Sequence, residues 1–68
     1  MERELVNSSN LVSVGYDNST GILEVEFKNG IYQYFDVPSH IYHELLESNS
    51  KGGYLHREVK PNYTFEKI

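Results

Sequence analysis

Four side chains able to hold a phosphate crowd the C-terminal third of this 68-residue chain: Lys51, His56, Arg57 and Lys60. Cationic groups beside the free amides of a helix start, here Ser50-Lys51-Gly52-Gly53, are the chemistry of anion binding. The same charges can simply be a solvated face that balances an acidic body. Ser8, Ser9 and Asn10 add short polar side chains, which contact the same anion if the N-terminal run folds close by. Lys51-Gly52-Gly53 lacks the G-x-x-x-x-G-K pattern after a strand, which excludes P-loop nucleotide hydrolysis.

Other chemistries find fewer of their parts. His40 and His43 stand three apart on a helical stretch with Glu44 and Glu47 nearby, but the H-E-x-x-H spacing is missing. They read as surface residues, with no metal and no cofactor expected. There is no cysteine, hence no thiolate nucleophile, thiolate metal site or disulfide. No serine sits on a strand-to-helix elbow. The acidic pair Glu24 and Glu26 lies along one strand face and not across a cleft. The expectation is a non-catalytic protein.

Charge distribution sharpens this. The formal net charge is −4. Residues 1–50 carry two cations against eight carboxylates, a net of −6, while residues 51–68 carry four against two, a net of +2. A basic end on an acidic body suits a local anionic partner and argues against strong, non-specific nucleic-acid binding. An 18-residue apolar run and a secretory leader pattern are both missing, so the expectation is a soluble, cytoplasmic chain with no membrane contact.

The elements that must position these groups follow from periodicity. "LVSVGYD" (11–17) and "ILEVEFK" (22–28) alternate as strands on either side of the turn formers "NSTG". Asn29-Gly30 then signals a two-residue type I′ hairpin into "IYQYFD" (31–36), with Lys28 opposite Ile31. These pairings gather Val12, Val14, Tyr16, Leu23, Val25, Phe27, Tyr32 and Tyr34 on one uncharged face. The other face mixes Glu24, Glu26, Lys28 and Gln33 with Leu11, Ile22, Ile31 and Phe35. Tyr32 and Tyr34 read as core residues with hydroxyls at the rim, in preference to a platform for stacking bases.

A cover for the uncharged face comes next. Ser39 is a fair N-cap for a helix over 39–48, whose stripe is Ile41, Tyr42, Leu45 and Leu46. A second, short helix starts after Ser50, buries Leu55 and Val59, and stops before Pro61. The alternation of Tyr63 and Phe65 implies an extended tail packing back on the body. The fold class is α+β: a three-stranded antiparallel β-meander followed by two short helices packed on one sheet face. One domain spans residues 1–68, with 1–9 as a flexible lead-in.

The pieces "SSNLVSVGYD", "LEVEF", "NGIYQYFDVP", "YHELL" and "SKGGYL…VK", in this order, resemble the KTSC domain over about residues 7–63. That family takes its name from the C-terminus of some lysyl-tRNA synthetases, and it also occurs as small stand-alone bacterial and phage proteins. The resemblance implies a small α+β domain without known catalysis, for which the synthetase context has suggested RNA binding.

Two functions therefore stand. In the first, Lys51, His56, Arg57 and Lys60, with Ser8, Ser9 and Asn10, bind RNA or tRNA weakly. In the second, Leu11, Ile22, Ile31 and Phe35, or an exposed edge strand, contact a protein partner or a second copy.

Overall fold

The computed structural model describes residues 3–6 and 11–68. The alternating stretches become β2 (Leu11–Asp17), β3 (Ile22–Phe27) and β4 (Gly30–Tyr34), joined as antiparallel hairpins. Two further strands flank them, β1 (Glu4–Leu5) and β5 (Phe65–Lys67). The sheet is five-stranded, in the order β1-β2-β3-β4-β5. The expected three-strand meander is its centre. The outer strands contain two and three residues, too few for alternation to register. Within the expected lead-in 1–9, Glu4 and Leu5 pair with Val14 and Ser13. Ser8, Ser9 and Asn10 lie outside the described residues.

The first hairpin has the expected loop. Asp17 opposes Ile22, Tyr16 opposes Leu23 and Val14 opposes Val25. Asp17 Oδ1 accepts from the amide and the hydroxyl of Ser19, and Gly21 closes the turn at φ 73°. Toward the other end of β2 the register slips at a β-bulge between Leu11 and Ser13, so Leu11 and not Val12 faces Phe27. Leu11 is thereby turned inward to 2% exposure, which removes it from the expected interaction surface.

The second hairpin turns one residue earlier than Asn29-Gly30 predicts, which shifts each residue's partner by two positions. Phe27 pairs with Gly30, Val25 with Tyr32 and Leu23 with Tyr34. The loop is Lys28-Asn29, and neither residue has a positive φ, so the type I′ turn is replaced. The pairing moves by an even number of positions, so every side chain keeps its face.

The uncharged face is buried as expected except at Val12, whose place in the core the bulge gives to Leu11. Val14, Leu23, Val25 and Tyr34 form the core with Val37, Leu45, Leu55 and Val59. Helix α1 (Ser39–Glu47) buries Leu45 and packs Ile41, Tyr42 and Leu46 against the cluster. Pro38 takes the N-cap position, one residue before the expected Ser39. Helix α2 (Lys51–Tyr54) is capped by Ser50, whose Oγ accepts from Gly53 N at 3.3 Å. It runs on as a π-helical turn over Leu55–Val59. Two braces tie the layers together: Tyr16 stacks on Tyr42 at 5.3 Å, and Tyr54 donates to Glu44 Oε1 at 2.8 Å.

Candidate functional site

The helices leave the β4–β5 end of the inner face partly open. A groove of ≈ 760 Å³ lies there between the sheet and the second helical segment. Strand parity supplies one wall. Tyr32 and Tyr34 share the inner face of β4, and β5 pairs Phe65 with Tyr34 and Lys67 with Tyr32. Tyr34 is 1% exposed and belongs to the core. Tyr32 is half-buried and packs edge-on against Phe27 at 5.3 Å. Phe65 lies 5.8 and 5.5 Å from the rings of Tyr32 and Tyr34, yet it is 53% exposed.

The π turn supplies the opposite wall. Lys60 N donates to Leu55 O at 2.9 Å, a five-residue step that leaves Leu55 and Val59 fully buried. The following residue of each, His56 and Lys60, lines the groove, together with Gly52 and Gly53. The β3–β4 turn closes one end with Lys28 and Asn29.

Electrostatics distinguish this groove from the rest of the molecule. Lys28, Lys60 and His56 line it, and among the described residues no carboxylate does. The Lys60 ammonium sits 5.2 Å from the Phe27 ring centre, and that of Lys67 sits 5.9 Å from Tyr32. The Lys67 stem passes over Gly30, where a Cβ would meet Cε at 2.7 Å and the flexible end of the lysine would have to shift. The carboxylates of the neighbouring strands are turned away. On the outer face Arg3 reaches Glu24 at 2.8 Å and Glu26 at 3.9 Å. Gln33 donates to Glu24 and Ser13 to Glu26 there, each at 2.9 Å. Burial pushes the Tyr34 hydroxyl above its ordinary range, with Tyr32 adding to the effect, so this phenol stays neutral at physiological pH.

The groove gathers two of the four expected phosphate-binding residues, His56 and Lys60. Lys51 is half-buried and donates to Ser48 O at 3.1 Å, bridging the two helices. Arg57 does not line the groove, although its Nη1 lies 3.8 Å from where a Cβ on Gly53 would sit; it is exposed, with Nε 3.5 Å from Glu58 Oε2. Sequence reasoning missed Lys28, Phe65 and Lys67. The first was read as an outer-face strand residue, and it belongs to the turn. The tail did carry a signal, because Phe65 and Lys67 extend the same odd-numbered alternation as Tyr63. The half-apolar outer face keeps Ile22, Ile31 and Phe35, all half-buried around the Arg3–Glu24 network. Among the described residues no three His, Cys, Asp or Glu side chains converge as a metal site. No helix among them is long and apolar enough to cross a membrane.

Comparison with known proteins adds context to this geometry. A family model described as KTSC domain matches residues 7–63. An uncharacterized protein of Stutzerimonas stutzeri (strain A1501) is 42% identical over 64 residues, covering 93% of this chain and 90% of that protein. A lysine–tRNA ligase of Trichormus variabilis is 37% identical over 54 residues, 78% of this chain but 10% of the ligase. The crystal structure of a KTSC domain protein from Yersinia pestis superposes with a TM-score of 0.96 at 34% identity, covering 98% of this chain and 96% of that one.

Proposed function

This chain belongs to the KTSC domain family, and from that premise we propose that it is a small, non-catalytic module that binds RNA weakly through the groove between β4–β5 and the π turn. The observation that carries the reading is charge segregation. A chain of net charge −4 lines this groove with Lys28, Lys60 and His56 and, among the described residues, with no carboxylate. A phosphate entering it meets only attraction at short range, and the acidic outer face lies on the other side of the sheet. The lysine–tRNA ligases that carry a similar segment supply a setting in which RNA is at hand, and they favour this polyanion over others.

Few phosphates are engaged. Two or three contacts give a log–log salt slope of about −1.4 to −2 for a single strand. Titrating the protein with a short oligouridylate at stepped salt measures that slope. Lys28→Glu with Lys60→Glu is expected to abolish binding at low salt, while Lys51→Glu and Arg57→Glu, outside the groove, reduce it only mildly. Equal losses from both pairs would move the site out of the groove.

A further inference from the structure

Charge explains why a polyanion enters the groove, but it does not explain Phe65. Its ring is 53% exposed and lines the groove beside two further aromatic rings, so its free face belongs to a contiguous aromatic wall. Its neighbours Tyr32 and Tyr34 hold it at 5.8 and 5.5 Å, so the ring is pre-positioned and its open side is available to the groove. The ammonium groups of Lys60 and Lys67 already sit over Phe27 and Tyr32, two rings of the same wall, of which Tyr32 adjoins Phe65. An aromatic surface between two cations matches the spacing of a nucleotide, whose base is a π-face and whose phosphates lie on either side. A groove of ≈ 760 Å³ admits one or two nucleotides, and a paired helix cannot enter it.

Resting on the RNA-binding reading above, we infer that Phe65 is a stacking residue for one unpaired base, so that the ligand class is single-stranded RNA and duplex is rejected. The residue lies beyond the segment matched by the family model, residues 7–63, on a strand that completes the sheet edge in this chain. Tyr32 forms the adjoining wall, and its contacts with Phe27 and Phe65 fix the angle at which a base lies down. Phosphates on either side of that base fall to Lys60 and Lys67.

The test compares full-length protein and its Phe65→Leu and Phe65→Trp variants against a short oligouridylate, a short fully paired RNA and inorganic polyphosphate. Fluorescence anisotropy reads affinity, and amide spectra check that each variant is folded. The expected result is that the oligouridylate binds tightest and that Phe65→Leu weakens it about tenfold with the salt slope unchanged. Phe65→Trp, which keeps the π-face, restores binding. If all three probes bind alike and Phe65→Leu is neutral, stacking is overturned while the phosphate reading survives. If no probe binds wild-type protein at low salt, both fall together.

Discussion

Tyr32, Tyr34 and Tyr54 each divide one ring between two tasks, an apolar body that packs and a hydroxyl that must find water or a partner. Tyr54 has the most demanding surroundings. Its ring is 8% exposed, and its hydroxyl donates to Glu44 across the two helices. Burial, then the bonded carboxylate, pushes its pKa up to about 12 from an ordinary 10.0. The folded state therefore holds this proton more tightly than the unfolded one. Its contribution to stability is complete below pH 10 and is lost as pH climbs toward 12. Tyr34 and Tyr42 shift in the same direction, again through burial first. The melting temperature is expected to hold level to about pH 10 and to fall above it. Tyr54→Phe should cost about 1 kcal/mol at neutral pH, the worth of one hydrogen bond, and should make the alkaline fall shallower. Denaturant titrations of both proteins at pH 7 and pH 11 check the two statements.

Elements show which features were legible before the coordinates and which were not. Face assignment survived in β3 and β4, because period-two patterning fixes parity even where the paired residues differ. Asn29-Gly30 misled about register. Turn chemistry states a local preference, and here pairing Leu23 with Tyr34 beneath the helices outweighed it. The bulge at Leu11 left no mark, since Leu11 and Val12 are both apolar and either could face inward. Cations on a contiguous run looked like one site, yet a helix distributes them around its axis. Lys51 and Arg57 left the groove for that reason, and Lys28 entered it from a turn twenty-three residues upstream of Lys51. The stripe on α1 was plain, and it gives a sharp test. Leu45 is fully buried, so Leu45→Ala should cost about 2–5 kcal/mol.

For the whole molecule that cost is decisive. A single core in a chain of this size supplies roughly 3–5 kcal/mol of net stability. Leu45→Ala should therefore leave a large unfolded fraction at 37 °C, which circular dichroism and a lowered melting temperature would report. The same thin margin limits where the inner face can open. It cannot give up Val14, Leu23 or Val25 to a ligand, and the groove lies at its β4–β5 end, beside the π turn. That π turn makes the length of this chain's helical segment matter. It differs from an ordinary helical turn by a single extra residue, and one residue of α-helix is roughly 100° of rotation. A relative one residue shorter between its glycine pair and its proline would inherit the architecture but swing its terminal ammonium to another quarter of the surface.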